Sequence, residues 1–168
     1  MARSKTLILS KKQVSQKIRR MAYEIYEHNF TEKELIIAGI YDRGYALAKR
    51  LVKELEEISP LKLELVRVSI DKVTPTKEEI SLDYELKDLK KKSVVLVDDV
   101  LNTGKTMSFS LKAFLGAEIR KMEAAVLIDR SHKLFPIDAR YKGYELSTTL
   151  NEHVEVKLTG TEQGVYLS

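Results

Sequence analysis

Four consecutive aliphatic residues, Val94 to Val97, run without polar alternation into two adjacent carboxylates, Asp98 and Asp99, and then into the turn Thr103-Gly104-Lys105-Thr106. A strand with no polar face must be covered on both sides, which is the condition of a parallel strand between two layers. Its functional groups then emerge at the carboxyl end, where open α/β sheets bind ligands. Fourteen residues, Ser93 to Thr106, thus read as a buried strand, a phosphate-binding loop and the start of a helix.

The loop pairs two kinds of recognition. Thr103, Gly104, Lys105 and Thr106 offer backbone N–H groups, two hydroxyls and a helix N-terminus, a set suited to one phosphate dianion. Asp98 and Asp99 would repel that anion unless they accept hydrogen bonds from hydroxyls or face a divalent cation. A ligand carrying both a phosphate and a vicinal diol, as a ribose phosphate does, meets both demands. The nucleotide P-loop G-x-x-x-x-G-K-[ST] needs a glycine where this chain has Asp99, so the Gly-Lys-Thr match alone is discounted. The plainer alternative is a βα turn whose acids cap the helix.

Helix and strand alternate along the rest of the chain without repeats or low-complexity linkers. Ser10 and Gln13 form a capping box, and Val14, Ile18, Met21, Ala22 and Ile25 at helical spacing predict a helix over 11–28. Leu35 to Ile40 predicts a strand. Leu47, Ala48, Leu51 and Leu55 mark a second helix that stops before Ser59-Pro60. In Leu61 to Ile70 the alternation changes parity between Leu65 and Val66, which predicts a strand with a bulge. Met107, Leu111, Phe114 and Leu115 predict a third helix ended by Gly116 as a left-handed cap. Lys121 to Ile128 returns as a strand, and Glu152 to Leu158 and Val165 to Leu167 as added strands around the Gly160 and Gly164 turns. The βαβ succession calls for parallel strands with right-handed crossovers.

Three further segments carry functional groups. Tyr41-Asp42-Arg43-Gly44 is a second strand-to-helix junction, where glycine permits close backbone approach; the plainer reading is Asp42 as a helix cap and Arg43 in a surface ion pair. Asp129-Arg130-Ser131-His132 and the residues to Ile137 follow a strand and can hold a planar base by edge contacts and stacking. His132 reads either as a ligand-facing group or as a structural histidine. Asp71 to Lys92 is charged and weakly periodic, either a lid or a solvated hairpin with a strand over 79–86.

The 168 residues suit one domain, and with no cysteine there is neither a disulfide framework nor thiol chemistry. No secretory or membrane-length apolar run is present, so a cytoplasmic protein without membrane contact is expected. The net charge of +4, from 29 basic against 25 acidic residues, is mild for a nucleic-acid binder and suits an anionic substrate equally well. His28, His132 and His153 lack metal-ligand spacing.

Val94 to Thr106 resembles the signature of the type I phosphoribosyltransferases. The likeness extends through Met21 to Asn29, Ala38 to Gly44 and Ala125 to Ile137, and is strongest to the branch of pyrimidine-operon attenuation regulators with uracil phosphoribosyltransferase activity. The resemblance implies an α/β fold with an open, mostly parallel twisted sheet flanked by helices, a small hood over about 129–150 and a flexible loop over about 71–92. It implies transfer from phosphoribosyl pyrophosphate (PRPP) to a nucleobase, uracil first, with Mg²⁺ held by PRPP rather than by a direct protein ligand. Asp98 and Asp99 would meet the ribose hydroxyls, Val100, Leu101 and Asn102 would line the loop, and Thr103 to Thr106 would surround the ribose phosphate. Asp42, Arg43 and Gly44 would meet the pyrophosphate, at a junction where the family often has a non-proline cis peptide. Catalysis would rest on Asp98, Asp99 and Arg43, and the base would lie near Asp129, Arg130 and His132. A homodimer or higher homo-oligomer is expected.

The alternative is an RNA-binding regulator that keeps the PRPP site as a nucleotide sensor. Tyr23, Asp138, Tyr144 and Leu150 stand where that branch has basic or hydrogen-bonding residues, and Asp71-Lys-Val-Thr replaces its Tyr-Arg-Asp-Asp-like run. Lys17, Arg19, Arg20 and Lys90 to Lys92 remain for phosphates.

Overall fold

A computed structural model describes residues 4–76 and 79–168. The chain runs β1 (Thr6–Ser10), α1 (Lys11–Asn29), β2 (Glu34–Ile40), α2 (Arg43–Ile58), β3 (Lys62–Ser69), β4 (Ser81–Leu82), β5 (Ser93–Leu101), α3 (Lys105–Ser110), β6 (Lys121–Asp129), β7 (Tyr141–Glu145), β8 (Val154–Lys157) and β9 (Gly164–Leu167). Short 3-10 turns occupy Leu86–Leu89 and Leu111–Ala113.

Six strands form one sheet in the order β4-β3-β2-β5-β6-β7. β3, β2, β5, β6 and β7 are parallel, and only β4 at the edge is antiparallel. Each side chain of β2 and β5 that turns away from one layer enters the other, which is why neither strand alternates with polar residues. Leu35, Ile37, Val95 and Val97 pack with the apolar stripes of α1 and α2; Ile36, Ala38, Val94 and Leu96 pack on the opposite face with Leu89, Met107 and Phe114. The capping box that starts α1 is present: Ser10 Oγ accepts from the Gln13 amide at 3.2 Å and Gln13 Oε1 from the Ser10 amide at 2.8 Å. Such a cap is worth about 1 kcal/mol.

Four expectations change. β3 has no bulge, because it pairs one-to-one with β2 from Glu34↔Lys62 to Ile40↔Val68. The parity switch instead reflects a strand covered on different faces along its length: Leu63 and Leu65 pack toward the helices, Val66 and Val68 toward the far layer. The third helix ends at Ser110, whose hydroxyl donates to the Thr106 carbonyl at 2.7 Å, so Leu115 lies exposed and Gly116 is not left-handed. Within 129–150, Tyr141–Glu145 joins the main sheet as β7. Of the strand expected over 79–86, only Ser81–Leu82 forms, paired to the end of β3.

The tail strands β8 and β9 are present, and β1, absent from the sequence reading, completes a separate antiparallel sheet in the order β1-β9-β8. The two ends of the chain therefore build one small layer beside the carboxyl end of the main sheet.

Candidate active site

The parallel strands align their carboxyl ends, and β5 delivers Asp98 and Asp99 there at 3% and 6% exposure. Asp98 Oδ1 accepts from the Asp99 amide at 2.9 Å and from Lys72 Nζ at 3.1 Å. Burial, and then the neighbouring Asp99 charge, push the Asp98 carboxyl up to about 7, while Lys72 pulls it down. A crowded, buried carboxyl pair is the condition under which a ligand hydroxyl or a cation is gained most readily.

Beyond the acids the chain turns through Gly104 at φ 84, a left-handed conformation; a Cβ there would also stand 2.6 Å from Ile137 Cγ2. Gly104, at the N-cap of α3, has no side chain to cap the helix. Thr103 Oγ1 accepts from the Lys105 amide at 3.2 Å, and the Thr103 carbonyl accepts from the amides of Leu134 and Phe135 at 2.8 and 3.0 Å. Asp98, residues 100–106 and Met107 enclose a cavity of about 40 Å³. That holds roughly three waters, the bulk of a phosphate group.

α2 is seated directly on this end of β5. A Cβ on Gly44 would lie 2.6 Å from the Val97 carbonyl oxygen and 2.9 Å from Asp98 Oδ1, so only glycine lets the helix start reach the acids. The Tyr41–Asp42 peptide preceding it is cis. Asp42 makes no side-chain cap to α2, which removes the plainer reading of that residue. Asp42 and Arg43 line a second cleft of about 480 Å³, with Tyr41, Tyr45, Lys49 and Arg67 on one side and residues 155–159 on the other.

The segment after β6 lies against the turn, since the Arg130 amide donates to the Leu101 carbonyl at 3.0 Å. Its expected base-binding side chains are held by the protein. Arg130 donates to Asn102 Oδ1 and Thr148 Oγ1, both at 2.9 Å, and to the carbonyls of Thr149 and Glu152. His132 Nε2 lies 2.7 Å from the Thr148 carbonyl oxygen. Asp129 is buried beside Lys142 at 3.1 Å and accepts from the Ser131 amide at 2.8 Å.

The structure thus gathers Asp98 and residues 100–106 into one cavity, with 129–137 beside it, and places Asp42 and Arg43 in the adjoining cleft. Sequence reasoning missed Lys72 and the lining contributed by β8. Lys72 was legible as the first basic residue beyond a parallel strand two places from β5; β8 was not, because nothing local says where a tail strand docks.

A doubly covered parallel sheet with two buried acids and a glycine turn at one strand's carboxyl end is the architecture of an α/β protein whose site lies at that end of the sheet. The chain belongs to the phosphoribosyl transferase domain family, whose pattern matches residues 5–159. It is 36% identical over 166 residues to the bifunctional protein PyrR of Clostridium acetobutylicum, covering 95% of this chain and 93% of that one. It is likewise 36% identical to the PyrR of Deinococcus radiodurans, covering 96% and 92%. Among solved structures it superposes on a hypoxanthine phosphoribosyltransferase of Trypanosoma cruzi with a TM-score of 0.74, at 13% identity over 89% of this chain and 84% of that one. A hypoxanthine-guanine phosphoribosyltransferase of Bacillus anthracis gives 0.72 at 18% identity, over 89% and 84%. The fold is that of the type I phosphoribosyltransferases.

Proposed function

We propose that this protein transfers the phosphoribosyl group of PRPP to a nucleobase, uracil by its likeness to the PyrR branch, releasing pyrophosphate. The observation that carries this reading is buried Asp98, with Asp99 buried beside it, lining the cavity of the Gly104 turn. In it the turn holds the 5′-phosphate and the two carboxylates accept the ribose hydroxyls, fixing the sugar while the base approaches its anomeric carbon. The anomeric carbon develops positive charge as the bond to pyrophosphate breaks. Arg43 and the amides at the start of α2 stabilise the departing pyrophosphate. Mg²⁺ would be carried in on PRPP rather than held by the protein, since among the described residues no cluster of three or more acids or histidines could hold it; with Asp98 and Asp99 nearby, it would supply charge neutralisation to the leaving group. No nucleophilic side chain takes part. The base occupies the space near Asp129, Arg130 and His132, where Arg130 and His132 shape the pocket through their bonds to Asn102 and to residues 148–152. The segment from Asp71 to Lys92 acts as a loop over PRPP, and the protein works as a homodimer or higher oligomer in the cytoplasm.

RNA binding is the secondary reading. The basic residues available for it are partly occupied: Arg19 pairs with Glu54 at 2.9 Å, and Arg20 with Glu24 at 2.6 Å and with the carbonyls of Lys142 and Gly143. Asp138 sits between Lys133 and Lys142. These bonds support an enzyme first and a weak, sequence-independent contact with RNA.

The deciding experiment incubates the protein with PRPP, Mg²⁺ and, separately, uracil, hypoxanthine, guanine and xanthine, and follows pyrophosphate. Release with uracil and not with the purines is expected. Release with none of them would reject the enzymatic reading, and a purine preference would move the assignment to another branch.

A further inference from the structure

Beyond Ser69, the end of β3, the chain folds around Asp71. Its Oδ1 accepts from the amides of Val73 and Thr74 at 2.8 and 3.0 Å, and its Oδ2 from Thr74 Oγ1 at 2.6 Å. This compact turn fixes the backbone on either side of Lys72 and aims its ammonium group across β2 at Asp98 Oδ1, 3.1 Å away. The two partners are unlike: the Lys72 side chain is 38% exposed and that of Asp98 only 4%. The lysine can leave for water; the carboxylate cannot.

The surroundings of Asp98 give Lys72 no substitute. On its own strand it faces Asp99; from α2 it meets Gly44, which has no side chain; on β6 its partner is Val126. Among the described residues, the charges acting on Asp98 are those of Asp99, which disfavours its ionisation, and Lys72, which favours it. The same Oδ1 that Lys72 occupies is an acceptor a ribose diol would need.

We propose that Lys72 is a positioning residue of the transfer reaction, orienting the Asp98 carboxyl and favouring its charged form in the substrate-free protein, and giving up its place on Oδ1 to a ribose hydroxyl when PRPP binds. The proposal rests on the reading of Asp98 as a diol acceptor. It makes substrate entry an exchange of partners at a carboxyl whose charged form Lys72 favours, and it couples occupancy of the ribose site to release of the turn that carries Lys72. No covalent bond of the ligand is made or broken in the exchange; where Asp98 is protonated, its proton leaves to solvent before Oδ1 accepts the hydroxyl, which makes the affinity pH-dependent.

Lys72→Met removes the charge while keeping the stem, and Lys72→Arg restores it. The first measurement needs no ligand: the Asp98 carboxyl is titrated by carbon NMR, and in Lys72→Met its midpoint should rise by about one pH unit or more, returning toward the wild-type value in Lys72→Arg. The second is PRPP affinity by calorimetry with Mg²⁺. At about pH 6.5 Lys72→Met should bind roughly tenfold more weakly than wild type, while at about pH 8.5 it should bind within about twofold or more tightly, since no lysine is displaced. A lysine with only a packing role would lower affinity equally at both pH values and leave the Asp98 titration unmoved; either result overturns the proposal. Wild-type protein that binds no PRPP at either pH would overturn the functional reading and the exchange with it. The ligand-free titration tells that failure apart from a failure of the Lys72–Asp98 pairing.

Discussion

The two ends of the parallel sheet are both rich in charge, yet they treat their acids in opposite ways. At the amino end Glu34 is met by Lys62 and Lys92 at 3.2 and 3.1 Å, and hydrogen bonds from Lys92 and then Lys62 hold its carboxyl below the usual range. Glu123, further along β6, is buried but surrounded: it accepts from Asn29 and Tyr141 at 3.1 and 3.0 Å and pairs with Lys121 and Arg140. At the carboxyl end Asp98 and Asp99 lie side by side with Lys72 as the cation that acts on Asp98, and the Asp98 carboxyl is pushed up. Acids that are compensated by the protein hold the sheet together; acids left under-compensated are available to something else. Burial alone does not separate the two ends, since Glu123 and Asp99 are almost equally hidden. Partner count does.

The sharpest break of this comparison is Asp98→Asn combined with Asp99→Asn. Charge-assisted hydrogen bonds contribute about 1.5–3 kcal/mol each, so the pair should lose roughly 10²- to 10⁴-fold in PRPP affinity by calorimetry. The melting temperature should rise, because two repelling buried charges are gone. Unchanged affinity would end the assignment of this site. At the amino end the signs reverse: Glu123→Ala takes an acceptor from Asn29 and Tyr141 and the counter-charge from Lys121 and Arg140, and should lower stability by about 2–4 kcal/mol in denaturant titration while PRPP affinity stays the same. A loss of affinity there at constant fold would show that the two ends are coupled through β6.

Gly44→Ala tests whether the carboxyl end depends on close approach. Its new methyl would lie 2.6 Å from the Val97 carbonyl oxygen, a backbone atom that cannot swing aside. A cost of about 1–3 kcal/mol in stability is expected, with weakened PRPP binding, since α2 must withdraw from Asp98. Full activity would mean that α2 need not touch β5.

Much of the carboxyl end was legible because its signals are local. An uninterrupted aliphatic run, two acids and a left-handed glycine follow one another within Val94 to Gly104, and the parallel register needs only that run to be buried. Ser10 and Gln13 likewise declared α1 within four residues. What was not legible depends on distant partners. The parity change in Leu61 to Ile70 has two local explanations, a bulge or a change of covering layer, and the layers come from α2 on one side and Leu89 on the other. β1 is too short to announce itself, and it exists as a strand because β9, more than 150 residues later, pairs with it. The resemblance places Arg130 near the base, but the bonds its guanidinium makes to Asn102 and residues 148–152 are a set no spacing rule would assemble.

The smallest effect separates the two ends by pH. A carboxyl whose folded pKa is raised binds its proton more tightly in the folded chain, so its stabilising contribution is complete below the unfolded value and is lost as pH rises through the folded one. For Asp98 that window runs from the ordinary carboxylate value of 3.8 to about 7. Glu34, held low, has the opposite sign: its contribution is present above the ordinary value of 4.5 and disappears as pH falls through its folded pKa. The whole-protein curve mixes both, so the informative quantity is the difference in melting temperature between Asp98→Asn and wild type without ligand. It should be near zero at about pH 4, grow in favour of the variant through neutrality, and level off above, reaching several degrees for a chain of this size. The matching difference for Glu34→Gln should favour wild type at neutral pH and close on acidification. A flat Asp98→Asn difference across that range would mean that Lys72 already compensates Asp98 fully, and the contrast between the two ends of the sheet would have to be sought in Asp99 instead.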